Sequence, residues 1–144
     1  MDGYKKYENA CDSIRKANKR LFTGFEQWLK SCGLSDKTIE KHLSNIDFCV
    51  NEYLLYDDAT QAKDGVGAVS MFLGYWYIRK AMWANPSTIK GNAASLKKFY
   101  TFMNEKGLVE KEDLLDLKQT IKDEMPQWLE ALGRVDDQSI QDGW

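Results

Sequence analysis

The chain lacks most of the residues and motifs that mark metal sites, cofactor sites and disulfide frameworks. Among its 144 residues there is one histidine, His42, and there are three cysteines, Cys11, Cys32 and Cys49, with no CxxC pair and no Cys/His cluster. A zinc site needs several such ligands close together, and a disulfide framework needs paired cysteines. No Walker, GxGxxG or HExxH motif occurs. We therefore predict no metal, no cofactor and no enzymatic activity, with reduced structural cysteines in a cytoplasmic protein.

Prolines and long apolar runs are also few. Pro86 and Pro126 are the only prolines, which suits a helical protein with few turns. The longest apolar run covers residues 66–78 and is interrupted by serine and glycine. It is shorter than the stretch of about 20 apolar residues that spans a bilayer. The sequence therefore predicts a buried helix at this position and no membrane partner.

The chain has little net charge, −2 at pH 7, which by itself argues against a nucleic-acid partner. The charges are unevenly distributed, however. Residues 1–104 carry 15 Lys and Arg against 11 Asp and Glu, whereas residues 105–144 carry 5 against 11. The sequence thus combines a mildly basic body with an acidic C-terminal part.

Apolar residues recur at steps of three and four over most of the chain, which is the spacing of one helix face. This periodicity predicts a first helix that ends at Gly33, either continuous or broken near Thr23-Gly24, and a second that starts after Ser35. Three more helices are predicted over residues 65–83, 88–106 and 111–124, with a loop over 56–64 and a short amphipathic turn opened by Pro126. No segment alternates as a strand does, so the predicted fold is all-α.

The apolar stripes of these helices predict the core. The residues expected to face it are Ala10, Ile14, Ala17, Leu21, Phe25, Trp28 and Cys32 in the first helix, Ile39, Leu43, Ile46 and Val50 in the second, Ile89, Ala93, Leu96, Tyr100 and Met103 in the fourth, and Leu114, Leu117 and Ile121 in the fifth. The aromatic run 75–77 with Trp83 is open to two interpretations. It either packs in the core or offers rings on which bases stack.

One phrase occurs twice, fifty positions apart, as Ser35-Asp36-Lys37-Thr38-Ile39 and as Ser87-Thr88-Ile89-Lys90. Each copy is interpreted as a helix-capping serine after a breaker, Gly33 or Pro86, followed by a Thr-Ile pair. A helix start offers free backbone N–H groups and the positive end of the helix dipole, both of which suit phosphate. The repeat therefore predicts two similar helix starts that grip a phosphate backbone.

Polar side chains on the second and fourth predicted helices lie away from the apolar stripes. They are Lys37, Lys41, Ser44 and Asn45 on the second helix, and Lys90, Asn92, Lys97 and Lys98 on the fourth. The set is either an ordinary solvated face or a DNA-binding surface, and His42 is either a plain surface residue or a phosphate or base contact. Periodicity leaves both alternatives open.

Residues 22–109 resemble the N-terminal SAM-like, core-binding domain of tyrosine recombinases, the phage integrase family. The motifs that carry the resemblance are Phe25-Glu26-Gln27-Trp28-Leu29, Gly33-Leu34-Ser35-x-x-Thr38-Ile39, Phe48 with Tyr53-Leu54, Ser87-Thr88-Ile89, Leu96-Lys97-Lys98-Phe99-Tyr100, Phe102-Met103 and Gly107-Leu108. The resemblance implies a four-helix orthogonal bundle that forms one arm of a clamp on duplex DNA, with its second and fourth helices toward the major groove. It also implies DNA contacts from Lys37, Thr38, Lys41, Ser87, Thr88, Lys90 and Lys97.

The catalytic domain of that family needs two arginines, a lysine, a histidine-rich motif and a nucleophilic tyrosine. After Gly107 this chain has one arginine, Arg134, and neither histidine nor tyrosine. The resemblance therefore implies a non-catalytic DNA-binding module that acts alone, by self-association, or with a separate recombinase subunit. The alternative is a helical protein-interaction module that has lost DNA affinity, which the near-neutral charge and the acidic C-terminal part favour.

The resemblance also suggests how the chain is divided. Residues 22–109 would be the SAM-like domain, flanked by an N-terminal helical extension over residues 1–21 and a C-terminal helical extension over 110–133. Residues 134–144 are predicted to be a disordered acidic tail.

Overall fold

The computed structural model describes the backbone of residues 3–142 and the side chains of residues 3–135, and it confirms the predicted all-α bundle. Five helices occupy these residues, with no strand among them. They are α1, Gly3–Ser31; α2, Asp36–Asp47; α3, residues 69–80; α4, Pro86–Glu105; and α5, Lys111–Asp142. None of the helices in this described part is long and apolar enough to cross a membrane.

The two copies of the repeated phrase are equivalent helix starts. Ser35 Oγ accepts a hydrogen bond from the backbone N–H of Thr38 at 3.3 Å. Asn85 Oδ1 accepts the same bond from the N–H of Thr88 at 2.9 Å, and Thr88 Oγ1 in return accepts from the N–H of Asn85. Each start thus has a capping side chain bonded to the threonine three residues later.

The predicted cap at Ser87 is therefore wrong, because Asn85 occupies that position. Pro86 follows it as the first residue of α4, where a fixed φ and a missing N–H cost nothing. In both copies the isoleucine after the threonine, Ile39 or Ile89, is buried in the core. Each copy of the phrase therefore marks the start of a helix and the isoleucine with which that helix packs into the core. An alignment of the two serines does not show this equivalence, because the capping residues are Ser35 and Asn85.

Helix α1 is continuous through Thr23-Gly24 and across the predicted domain boundary after residue 21. Its predicted stripe is only partly right: Phe25 is buried, Ala10, Ile14, Leu21 and Trp28 are half-buried, and Ala17 and Cys32 are exposed. The buried residues of the helix include Asn18, whose Nδ2 donates to Asn51 Oδ1 at 2.7 Å. Because the side-chain amide of Asn51 accepts this hydrogen bond, Asn18 occupies the core position that periodicity had assigned to Ala17.

The connection from α2 to α3 is more ordered than predicted. A π-helical turn, Phe48–Tyr53, extends α2, and two short 3₁₀ turns, Ala62–Asp64 and Val66–Ala68, precede α3. Helix α3 consists of Val69–Met71, a π turn Phe72–Trp76 and Tyr77–Lys80, so it is shorter at both ends than the predicted 65–83. It ends because Ala81 adopts an extended backbone.

Helix α5 continues through Pro126, where the sequence predicted the end of one helix and a separate short turn. Leu117, Ile121, Trp128 and Leu132 are all buried, and their spacing places them on one stripe. Proline removes the hydrogen bond to the carbonyl four residues earlier. The helix tolerates this loss because Pro126 lies on its exposed side.

The predicted acidic tail falls at the end of α5. The helical backbone runs to Asp142, so no helix end coincides with the predicted boundary at residue 134. The side chains from residue 136 onward lie outside the described part of the chain, as do residues 143 and 144 altogether.

Helix α4 forms the centre of the core. Its predicted core residues Ile89, Ala93, Leu96, Tyr100 and Met103 are all buried. Phe99 and Phe102 are buried with them and pack against Phe25 of α1, with ring centroids 5.3 and 5.5 Å from it. Helix α2 contributes Ile39 and Ile46 as predicted, and the π turn after it contributes Val50, whereas Leu43 is only half-buried.

The three cysteines are free, and two of them, Cys11 and Cys49, are buried. Burial raises the pKa of the Cys49 thiol far above its ordinary value, because a thiolate would lose its hydration. Cys32 is exposed at the end of α1, so its predicted core position is wrong. Its place follows the last turn of the helix, where the chain turns toward α2 at Gly33, which has a positive φ.

Candidate nucleic-acid interface

A polar network joins α2 to α4 at the middle of both helices. The hydroxyl of Ser95, which is fully buried, lies 2.7 Å from His42 Nδ1 and accepts a hydrogen bond from Asn45 Nδ2 at 2.9 Å. The same hydroxyl donates to the carbonyl of Gly91, one turn earlier, at 3.0 Å. The seam between the helices is thus held by side chains of two predicted site residues, His42 and Asn45.

The hydrogen of the Ser95 hydroxyl and the proton of neutral His42 are coupled. A serine hydroxyl has one hydrogen and two lone pairs. When that hydrogen is used in the bond to the carbonyl of Gly91, Ser95 accepts from Asn45 and from His42 Nδ1, which leaves Nε2 as an acceptor. A hydroxyl hydrogen turned toward Nδ1 instead places the proton of neutral His42 on Nε2. Protonated His42 donates from both ring nitrogens.

An open groove of about 320 Å³ lies beside this network. Five of the ten predicted site residues line its α2 side: Lys37, Thr38, Lys41, His42 and Asn45. The α4 side consists of Gly91 and Ala94, and a side chain added at Gly91 would meet nothing within 4 Å. The small residues of α4 leave the groove accessible to a ligand.

The charge around the groove is positive. The pKa of His42 is lowered, first by partial burial and then by the charges of Lys98 and Lys41. Its two basic neighbours therefore come from different helices. The only acidic residue of α4 is Glu105, which accepts a hydrogen bond from Trp28 Nε1 at 2.9 Å.

The acidic residues of α2 point away from the groove. At about 100° of rotation per residue, Asp36, Glu40 and Asp47 all fall within about 20° of the side opposite Thr38. Lys41 lies on the groove side, about 60° from Thr38. The helix thus segregates its acids from the surface that the groove opens on.

The structure does not bring the two helix starts together. His42 and Asn45 of α2 meet Ser95 in the middle of α4. The ring of Phe48, just after α2, lies 5.5 Å from that of Trp83, just before α4. The helices therefore run in opposite directions along their seam, and the start of α2 lies far from the start of α4.

The other predicted residues take different places. The hydroxyls of Thr38 and Thr88 are hydrogen-bonded at their own helix caps, to Ser35 Oγ and to the Asn85 backbone. Ser87 is exposed in the first turn of α4, whereas Asn92, predicted to lie away from the core, is buried and donates to the carbonyl of Thr88 at 2.8 Å. Lys90 and Lys97 are also exposed, about 100–120° around α4 from Gly91. They flank the groove at a distance instead of lining it.

The aromatic cluster is partly buried and partly exposed. Tyr77 is buried and Trp76 is half-buried, as expected of core residues. Tyr75 and Trp83 are more than half exposed, and the guanidinium of Arg79 lies 3.9 Å from the centre of the Tyr75 ring. Trp83 lines a shallow pocket that also includes Asn45, so it lies at one end of the α2–α4 seam.

Sequence reasoning missed Ser95, Gly91 and Ala94, which shape the site from the α4 side. Small residues one turn apart in a helix permit close approach of a neighbour, and this spacing was the available signal. No group of three or more His, Cys, Asp or Glu side chains that could hold a metal occurs within residues that the structure describes.

Comparison with known proteins identified no relative: no protein-family model, no curated protein and no solved structure matches this chain. The similarity to recombinase core-binding domains consequently depends on the sequence motifs quoted above.

Proposed function

We propose that this protein is a non-catalytic DNA-binding module of the recombinase type, which binds duplex DNA through the α2–α4 face. The observation that carries the proposal is the groove between the helices. There Lys41 and Lys98 approach His42 from different helices, and the lining residues include no acid. Lys37, Lys90 and Lys97 add positive charge around it, in a chain whose net charge is negative.

The chemistry of such a face suits phosphate more than base edges. Lysines neutralise phosphates as point charges, and each neutralised phosphate releases counterions. About four such contacts give weak binding, of the order of the non-specific range of about 10⁻⁴ to 10⁻⁶ M. Self-association, or a recombinase subunit on the same DNA, would then supply the remaining affinity.

A salt series with charge-reversal variants tests this function. The fluorescence anisotropy of a labelled random duplex should show binding at low salt and a log–log slope of about −3 to −4. Lys41→Glu with Lys98→Glu should lower the affinity by more than about tenfold and reduce the slope by about two, because two phosphate contacts are lost.

The matched control is Lys118→Glu with Lys122→Glu, two exposed lysines of α5. This variant has the same change in net charge and should bind DNA as the parent does. Thermal melting should verify that each variant is folded, since Lys98 is half-buried. Absence of duplex binding by the parent at low salt, or equal losses in both variants, would refute the proposal.

His42 gives a second, pH-based prediction. Its pKa is about 6.5 in an unfolded chain and lower in the folded protein, because of burial and of Lys98 and Lys41. Between the two pKa values the unfolded state binds more protons, so folding stability should fall as the pH drops below about 6.5. The loss should be absent in His42→Gln. Urea unfolding of both proteins at pH 7.5 and pH 5.5 measures the difference.

DNA binding should raise the pKa of His42, whereas folding lowers it. Phosphate at the groove favours the protonated ring, which donates from Nε2, so affinity should rise as the pH falls, by up to about tenfold per pH unit. The NMR-measured pKa of His42 should increase when duplex is added. An unchanged pKa would place the DNA elsewhere on the molecule.

A protein-interaction module is the second candidate function, and one observation favours it. Met82 is 98% exposed and Trp83 is 58% exposed, in the turn between α3 and α4. Large exposed apolar side chains of this kind are typical of contact surfaces. If no duplex binds, this turn is where the contact with a protein partner should be sought.

A further inference from the structure

A second groove lies where the middle of α1 passes the segment before α3 and the end of α4. Its volume is about 540 Å³. Apolar side chains from all three parts of the chain make up half of its lining residues: Ile14, Ala17, Leu21, Ala62, Met103 and Leu108. None of the residues predicted to bind DNA contributes to it.

The apolar stripe of α1 is what makes this groove unusual. Ile14, Ala17 and Leu21 recur at helical spacing, which predicted that they would be buried. Ala17 is instead exposed, and Ile14 and Leu21 are half-buried, while Leu108 across the groove is 41% exposed. The fold leaves partly uncovered a stripe whose pattern is that of a packed helix face.

The rim of the groove carries charge of one sign. Arg20, Lys63 and Lys106 are among the lining residues, which include no Asp or Glu. Within the described residues, none of these three cations forms an ion pair, the pairs being Arg15–Asp12, Lys30–Glu26 and Arg134–Glu130. An occupant that complements the groove is therefore apolar on one side and acidic along its edges.

We propose that this groove binds an acidic amphipathic helix of a partner protein. The lining of α1 from Ser13 to Leu21 runs for about 12 Å, the length of two helical turns. A helix uses anchors at i, i+3 or i+4, and i+7 in such a groove and leaves its other face in water. A small ligand would remain largely in solvent, because the groove is open along its length, whereas small-ligand sites enclose most of their ligand.

Ala17 makes the groove testable without damage to the core. The residue is exposed, and its small side chain leaves room in the groove for a large apolar anchor of the partner. Ala17→Trp should fill that space. Arg20→Glu with Lys63→Glu should reverse the charge of the rim, and Lys16→Glu with Lys19→Glu is the matched control, since these two exposed residues of α1 do not line the groove.

The probe is a fluorescent synthetic peptide of about 16 residues, long enough for a helix in water. It carries leucines at i, i+4, i+7 and i+11 with glutamates beside them, and its controls are a peptide of scrambled order and one with lysine for glutamate. The full-length chain should bind only the acidic amphipathic peptide. Ala17→Trp should weaken binding by about thirtyfold, as loss of an interface anchor does.

The rim variant should also weaken binding, by about tenfold at low salt, and the Lys16/Lys19 control should not. Lys41→Glu with Lys98→Glu should bind the peptide normally, which separates this proposal from DNA binding. Absence of peptide binding at millimolar concentration would overturn the proposal, as would binding that survives Ala17→Trp. A dimer of the chain that Ala17→Trp dissociates, without peptide binding, would assign the groove to a second copy instead.

Discussion

Leu96→Ala should lower the free energy of unfolding by about 2–5 kcal/mol, the range for a buried leucine replaced by alanine. Leu96 is 1% exposed and lies in the middle of α4, the helix that packs at the centre of the core. The substitution leaves a cavity that neighbouring buried side chains cannot easily fill. Urea denaturation of the parent and the variant, with equal m-values, measures the change.

Leu43→Ala is the matched comparison. The sequence placed Leu43 and Leu96 in equivalent core positions, but Leu43 is half-buried. Its replacement removes less packed surface, so its cost should fall below that of Leu96→Ala by about 1 kcal/mol or more. Equal costs for the two variants would mean that α2 and α4 do not pack as described.

Trp128→Ala should destabilise the protein by about 3–5 kcal/mol, because a large buried side chain is lost. Trp128 is 3% exposed and lies in α5 beyond Pro126. Its indole covers Gly74 of α3 so closely that a Cβ added at Gly74 would lie 2.6 Å from Cδ1 and 2.8 Å from Nε1. Gly74→Ala alone should therefore cost about 1–3 kcal/mol through overpacking.

Gly74→Ala combined with Trp128→Ala tests the contact between the two residues directly. Once Trp128 is alanine, the methyl group of Gly74→Ala enters vacated space, so it should cost little or nothing. The same urea experiments on the parent, both single variants and the double variant give the coupling energy between the two sites. A loss of less than about 1 kcal/mol for Trp128→Ala would mean that α5 beyond Pro126 does not dock on α3.

The sequence predicted the helical elements well where a local rule decides them. The breakers and apolar periodicity around residues 33–54 and 85–107 gave α2 and α4 within a few residues, because caps and helix faces are short-range properties. Ile39 and Ile89 are buried, as the apolar stripes predicted, and each lies four residues after the residue that caps its helix. Five of the ten predicted site residues also share one groove, since spacing alone places them on one face of α2.

Apolar periodicity did not predict how the helices pack against one another. The sequence indicated that α2 and α4 begin alike, but only their packing decided that they run in opposite directions and that their starts lie apart. Ser95 became part of the candidate site because α2 brings His42 and Asn45 against it from about fifty residues away. The apolar periodicity of α4 contains no information about a contact that another helix makes with Ser95.

The wrong predictions for the core residues of α1 and for the end of α5 have the same cause, since periodicity carries no information about contacts between helices. Asn18 is buried in place of Ala17 because Asn51, in the π turn after α2, accepts a hydrogen bond from the Asn18 side-chain amide. Helix α5 continues through Pro126 because the proline lies on its exposed side and because Trp128, beyond it, packs on Gly74, whose missing side chain makes room for the indole. The sequence by itself determined the class of fold, the approximate bounds of α2 and α4 and most of the residues that these two helices bury. Tertiary structure decided which polar groups are buried, which helices continue and which apolar stripe stays open, because each of these depends on contacts between residues far apart in the chain.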